Sequence, residues 1–326
     1  MKAVVVSRLG GPEVLEVVEQ PVPEPGPGEV RIRVAAASVN FADVKARYGK
    51  YHHAGAPPFV PGIDLAGTID AVGDGVTELV PGQRVMAFPK GGSYAEYALA
   101  SAALTYPVPD GVDLETAAAL ATVGVTAYEL LTKVVRLAVG ESVLVHAAAG
   151  GVGTVALQLA KILGAGRVIG TVGSDAKIEH ARRYGADVVI NYTSGGFADA
   201  VLAATDGQGV DVILDAVGGP NFPDNLRCLA RFGRLAVYGN SAGDYGRVDT
   251  AELHNTCRAV LGYSMGTTRR FRPQVLRASA AQVLSWAAEG RLQVPVCGRF
   301  RLHEAAEAHR LMENRGTLGK VLLVTG

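Results

Sequence analysis

The spacing of apolar positions changes part-way along the chain. Up to about Pro109, short β-like runs such as "EVRIRVAAASV" and "LAGTIDAVG" are separated by turn-forming clusters, "PVPEPGPGE" and "VPGQRV". Short runs broken by proline and glycine predict a compact antiparallel barrel or sandwich. From about residue 122 to 262 the pattern is different. Five β-branched runs, "SVLVHAA", "RVIGTVG", "DVVIN", "VDVILDAVG" and "RLAVYGN", alternate with amphipathic stretches such as "GVGTVALQLAKILG" and "SDAKIEHARRYG". That alternation predicts parallel strands joined by right-handed helical crossovers, a doubly wound sheet. Beyond 262, two helical stretches, "QVLRASAAQVLSWAAEG" and "LHEAAEAHRLMENR", lead to a last strand, "KVLLV", and this tail is expected to fold back on the first domain. The fold class is therefore α/β, with a β-rich domain of segments 1–121 and 263–326 around a doubly wound domain at 122–262.

Within the second pattern, the run "SVLVHA" leads straight into Gly150, Gly151 and Gly153, and "TVALQLAKILG" continues as a helix. This is the strand-turn-helix arrangement in which backbone amides at a helix N-terminus face a pyrophosphate. Gly150 would permit close approach of the backbone, and Gly153 would let the helix pack on its strand. Ala148 stands where the first glycine of G-x-G-x-x-G would be, and alanine suffices if the turn there keeps φ negative. At the end of the next strand, where NAD-binding sites carry Asp or Glu, the chain has Gly173, followed by Ser174, Asp175 and Lys177. A small residue, a hydroxyl and an ammonium suit a 2′-phosphate, which favours NADP. In the alternative, Ser174 or Asp175 caps the helix, Lys177 is solvated, and Asp175 serves NAD.

Composition narrows the partners. The 31 basic and 31 acidic residues balance, so there is no basic field for nucleic acid or an anionic membrane. The N-terminal run is broken at Gly10, Gly11 and Pro12 and lacks a signal-peptide core, so a soluble, cytoplasmic protein is expected. Cys228, Cys257 and Cys297 are odd in number and far apart, which spells neither a disulfide framework nor a zinc cage.

These stretches, together with "GGPEVL" at 10 to 15, "VNFADV" at 39 to 44, "PGIDLAG" at 61 to 67, "GGSYAEY" at 91 to 97, "VGVTAYELL", "VINY", "GNSAG" at 239 to 243 and "GKVLL" at 319 to 323, carry a resemblance. Over nearly its whole length the chain resembles the zinc-independent medium-chain dehydrogenase/reductases, specifically the NADPH:quinone oxidoreductases related to zeta-crystallin. The resemblance implies a GroES-like catalytic domain built from both chain ends, a central Rossmann domain, NADP(H) as cofactor and a homodimer. By the same resemblance, Asn40 would lie beside the nicotinamide and acceptor, and Thr126 would help hold the nicotinamide end. Gly150, Gly151 and Val152 would line the pyrophosphate, with Gly173, Ser174, Lys177 and Tyr192 around the adenosine 2′-phosphate. Asn240 and Ser241 would approach the cofactor after the fifth strand, and Arg315 and Lys320 are weaker candidates.

Zinc alcohol dehydrogenases need an early thiolate, a His-Glu pair after the "PG" turn and a second cysteine before the nucleotide domain. This chain has Asp43 in "NFADV", Ile63-Asp64 after Gly62, and no cysteine before Cys228. The adjacent pair His52-His53 is a poor chelate and reads as a solvated loop. Without a Lewis acid, alcohol oxidation is disfavoured. Hydride delivery to a quinone or another electron-poor enone is the expected chemistry, with no general acid or base assigned. Where some family members carry tyrosine two residues after the aspartate, this chain has Lys45, and Tyr48 or Tyr51 would have to supply an aromatic platform. Asp43 is read as a structural hydrogen bonder. Arg269, Arg270 and Arg272 are read as a solvated helix start, an anionic substrate tail being the alternative. Two other functions stay open: an enoyl or 2-alkenal reductase, and a non-catalytic NADPH-binding, crystallin-like or RNA-binding protein.

Overall fold

The computed structural model describes residues 1–51 and 55–325, so the His52-His53 pair lies outside the described residues. The chain divides into two compact units, Met1–Val125 with Gly266–Gly326, and Thr126–Met265.

The first unit is built around one long strand, Glu29–Val39. Val30, Ile32 and Val34 alternate inward and are at most 2% exposed, and beyond them Ala36, Ala37, Ser38 and Val39 are all buried. The strand pairs antiparallel with Leu65–Val72, with Tyr97–Ser101 and with the C-terminal strand Lys320–Val324. The C-terminal strand is thus an inner strand of this sheet, second from its end. A further strand, Val296–Arg301, runs parallel to Lys320–Val324 at the end of the sheet. Its sequence, VCGRFR, interleaves polar residues with apolar ones of which none is fully buried, so periodicity gave no sign of it.

Two readings of this unit are corrected. Arg269 and Arg270 end the helix Met265–Phe271 rather than begin one. Arg269 is not simply solvated: its guanidinium donates to the Ile63 carbonyl at 2.6 Å and lies 5.1 Å over the Phe88 ring.

The second unit is a six-stranded parallel sheet with spatial order Val188–Asn191, Arg167–Val172, Ser142–Val145, Val210–Asp215, Leu229–Val237 and Ala259–Gly262. Five of these strands are the β-branched runs of the sequence. The sixth is a four-residue edge strand. Leu144, Ile169, Ile213 and Leu235 form the fully buried floor on which the helices pack.

One helical stretch, Leu114–Val134, is long and apolar enough to cross a membrane by composition, yet 78% of its most apolar window is buried inside the protein. Glu115 and Glu129 interrupt it as an apolar run.

Candidate functional site

In the second unit, the strand Ser142–Val145 is followed by His146 and the helix Gly151–Ile162 begins five residues after that histidine, with Gly150 at its N-cap. The turn is left-handed at Ala147, with φ 51°, whereas Ala148 stays out of that region. A Cβ at Gly153 would stand 2.3 Å from the Ala147 carbonyl oxygen and 2.7 Å from the Ala148 Cα. Gly153 therefore lets the helix press against its own loop, while the first amides of the helix, at Gly151 and Val152, have no carbonyl within it to bond. Ala148 is fixed in turn, because its amide donates to the Thr171 carbonyl at 2.9 Å and its methyl fits against Gly170 of the next strand.

His146 ties the strand ends together. Its Nδ1 is 2.8 Å from the Thr171 hydroxyl and its Nε2 is 2.6 Å from Asn225 Oδ1, and the Asn225 amide donates to Asp215 at 3.0 Å. Asp215 also accepts from the Val217 and Gly218 amides. Burial holds the imidazole below its usual pKa. Sequence reasoning passed over His146, Thr171, Asn225 and Asp215, which lie far apart in the chain and share no motif.

At the far end of the next strand the Tyr192 hydroxyl lies over Gly173, 2.6 Å from where a Cβ would be. Ser174 stands at the N-cap of a short turn of helix but makes no capping hydrogen bond, and Asp175 accepts from the Asn191 amide at 2.8 Å. Ser174 and Lys177 are both half-buried. The Asn240–Gly243 turn packs on the loop after Val210–Asp215, the Ser241 amide donating to the Ala216 carbonyl at 2.9 Å. Thr126 is 5% exposed, and its hydroxyl has no hydrogen-bond partner among the described residues. An orphaned buried hydroxyl is costly, and a bound carboxamide would satisfy it. These features fit a dinucleotide.

In the first unit, Asn40 is the N-cap of the helix Phe41–Arg47 and is 7% exposed. Its side chain is fully engaged. Nδ2 donates to Asp64 Oδ1 at 2.9 Å and to the Ser38 carbonyl at 3.1 Å, and Oδ1 accepts from the Lys320 ammonium at 2.8 Å. Asp64 also accepts from the Ser38 hydroxyl at 2.7 Å and the Thr122 amide at 2.9 Å. Of the two weaker candidates, Lys320 is thus joined to Asn40, while Arg315 is exposed in a left-handed turn at φ 54°.

Asp43, three residues into the helix, accepts from the Asn40 amide at 2.8 Å and from the Tyr94 hydroxyl at 3.2 Å, the structural role expected of it. Its other oxygen is buried without a hydrogen-bond partner among the described residues. Burial, reinforced by the Asp64 charge, raises its pKa from 3.8 to about 7. Tyr94 continues to His309 Nε2 at 3.2 Å, and His309 Nδ1 faces the Arg47 guanidinium at 3.2 Å. Because a guanidinium only donates, His309 accepts at Nδ1 and carries its proton on Nε2, so donors run from Arg47 through His309 and Tyr94 to Asp43. Arg47 is wholly buried and closes the chain on Glu313 at 2.6 Å. Of the tyrosines considered as platforms, Tyr48 is 41% exposed with the Arg47 guanidinium 4.6 Å over its ring, and Tyr51 is half-buried.

The profile of the alcohol dehydrogenase GroES-like domain matches residues 26–110, and that of the zinc-binding dehydrogenase family matches 151–281. A quinone oxidoreductase of Pseudomonas aeruginosa is 38% identical over 331 residues, covering 99% of both chains. A mycobacterial protein solved complexed with NADPH is 39% identical with a TM-score of 0.93, covering 99% of this chain and 100% of its own. The Escherichia coli quinone oxidoreductase, also complexed with NADPH, is 33% identical with a TM-score of 0.93 over the same shares. Similarity of this degree over both units, with the glycine loop in place, makes the chain a member of the quinone oxidoreductase family of medium-chain dehydrogenase/reductases.

Proposed function

We propose that this protein reduces quinones, or other electron-poor conjugated carbonyls, with NADPH and without a metal. One observation carries the reading: a glycine loop opening a helix in the same unit as an orphaned, buried Thr126 hydroxyl, in a chain similar throughout to quinone oxidoreductases. Two similar proteins have structures with NADPH. In this reading residues 122–262 hold the dinucleotide. Gly150, Gly151 and Val152 bind the pyrophosphate, Ser174, Lys177 and Tyr192 surround the 2′-phosphate over Gly173, Thr126 meets the carboxamide, and Asn240 and Ser241 flank it. Segments 1–121 and 263–326 receive the acceptor at Asn40.

Bound NADPH supplies the hydride; the acceptor gains that hydride and one proton from solvent, and leaves as the hydroquinone or saturated carbonyl. The protein's residues orient the two rings and exclude water. The metal-free assignment rests on donor chemistry. A cation at Asn40 would compete with the Lys320 ammonium already bonded to its oxygen, and the neighbouring position after Gly62 is Ile63. A homodimer is the accompanying expectation, drawn from the family resemblance and checked by sedimentation; a cytoplasmic location is expected from the N-terminal run and the cysteine usage, and fractionation checks it.

Oxidation of NADPH and NADH is to be followed with benzoquinone, phenanthrenequinone, an α,β-unsaturated aldehyde and a panel of enoyl thioesters. Turnover with a quinone, faster with NADPH than NADH and insensitive to chelators, is the expected result. Turnover confined to enoyl thioesters would move the protein to the enoyl reductases, and cofactor binding without turnover would remove it from the enzymes.

A further inference from the structure

Lys320 is buried at a cost that its surroundings only partly offset. Its side chain is part of the first unit's interior, 3% exposed, and among the described residues no carboxylate pairs with it at ion-pair distance. Burying an ammonium without a direct counter-ion is costly. Of its three N–H groups, one goes to the Val39 carbonyl at 2.9 Å and one to Asn40 Oδ1 at 2.8 Å. The groups facing it are Asp64 and Asp43, whose charges favour the ammonium, and the Cys297 thiol. Its placement comes from the sheet itself, since the antiparallel register pairs Val321 with Val39 and so brings Lys320 beside Asn40.

The consequence falls on Asn40. A carboxamide has two orientations that differ only by exchange of oxygen and nitrogen. Here an ammonium, which only donates, stands on one side, and the Asp64 carboxylate, which only accepts, stands on the other. Only one orientation satisfies both.

We propose that Lys320 is a positioning residue for hydride transfer, fixing the Asn40 carboxamide in one orientation and setting a buried positive charge behind it. The inference rests on the reductase reading given above. As hydride reaches the acceptor carbon, the acceptor oxygen gains negative charge until solvent protonates it. Lys320 neither gives nor takes a proton in the cycle. A fixed positive charge in a water-poor interior stabilises that developing charge more than the neutral bound acceptor, so its effect belongs in kcat rather than KM.

The test is the series Lys320→Met, Lys320→Gln and Lys320→Arg. Lys320→Met removes charge and hydrogen bond, Lys320→Gln keeps a donor without charge, and Lys320→Arg keeps both. For Met and Gln, kcat should fall by about tenfold or more, the scale of withdrawing one preorganised charge acting through a neighbour. The KM for quinone and the Kd for NADPH should stay within about threefold, and Lys320→Arg should recover most of the rate. Lys320→Met also leaves the Val39 carbonyl and Asn40 Oδ1 without a donor, so its Tm should fall, and kcat is compared across the series at a temperature well below every Tm. Any fall of native kcat at alkaline pH should vanish in Lys320→Met and move upward in Lys320→Arg. Should Lys320→Met fail to fold, the Gln and Arg variants carry the same comparison. Unchanged kcat and pH profile in Met and Gln, or losses that merely follow Tm and NADPH affinity, would overturn the proposal. A crystal structure of Lys320→Gln is read beside turnover: hydrogen-bond partners of Asn40 identical to those in the native protein, together with native kcat, remove the positioning role. Absence of quinone turnover in the native enzyme would instead count against the reductase reading.

Discussion

Asp43 and His309 are joined through the Tyr94 hydroxyl and lean in opposite directions. Burial and the nearby Asp64 hold the Asp43 pKa at about 7 against an ordinary 3.8, so the native protein keeps a proton that the unfolded chain has released. Its contribution to stability is complete below about pH 4 and is lost as pH rises through 7. Burial first, and then the Arg47 charge, push His309 from 6.5 down to about 3, so the native protein leaves it neutral where the unfolded chain is protonated. That contribution is complete above pH 6.5 and is lost as pH falls toward 3. Between about pH 4 and 6.5 the two slopes, each about 1.4 kcal/mol per pH unit at most, oppose one another. Asp43→Asn should therefore expose the histidine, its Tm dropping as pH falls below 6.5. His309→Gln should do the reverse, its Tm rising as pH falls from 7 to 4. Melting curves for both variants that stay parallel to the native protein across this range would refute the account. Of the pair, only Asp43 was singled out from the sequence, through the family segment "NFADV" in which it stands. His309 lies in a stretch rich in charge, and its burial depends on Arg47, 262 positions away.

At the scale of elements, what is local was readable and what is an edge was not. The strand-turn-helix at 142–162 announces itself because its signals are neighbours: a β-branched run, three glycines and an amphipathic helix. The sequence did not reveal which of three consecutive alanines would turn left-handed, since Ala147, Ala148 and Ala149 have identical preferences and tertiary fit chooses Ala147. The edge strands Val296–Arg301 and Ala259–Gly262 escaped for a related reason: each is short and has a neighbour on one side only, so its apolar pattern is weak. The two loop glycines then separate by function. At Gly153 an added methyl would meet backbone atoms at 2.3 and 2.7 Å that cannot step aside, whereas at Gly150, with φ −81°, the nearest atom is 3.2 Å away. Gly153→Ala should lose about 2 kcal/mol or more in denaturant unfolding and most of its NADPH binding. Gly150→Ala should lose well under half as much stability. Equal stability losses would mean that the helix does not rest on its loop as described.

Across the whole molecule the decisive contacts join the chain's two ends. Lys320 meets Asn40 across 280 positions, and the strand bearing Lys320 completes the sheet begun by Glu29–Val39. No periodicity contains that pairing; the ordered motifs of the family resemblance implied it, and the register supplied the atoms. Cofactor choice is likewise a property of the folded protein, since a ligand that binds only the native state stabilises it in proportion to its affinity. NADPH at a hundred times its Kd should add about 2.7 kcal/mol to unfolding stability. In the proposed site Lys177 faces the 2′-phosphate; with Lys177 replaced by glutamate such a contact would become a repulsion, and at the same NADPH concentration about 1 kcal/mol or more of that gain should disappear. NADH lacks the phosphate, so its smaller gain should be the same in both proteins. Thermal shifts with the two dinucleotides, each at a fixed concentration, make the comparison without requiring turnover or knowledge of the acceptor. An equal loss for NADH would mean that Lys177 supports the adenosine end as a whole, and the discrimination between the two cofactors would then have to come from Ser174 and Tyr192.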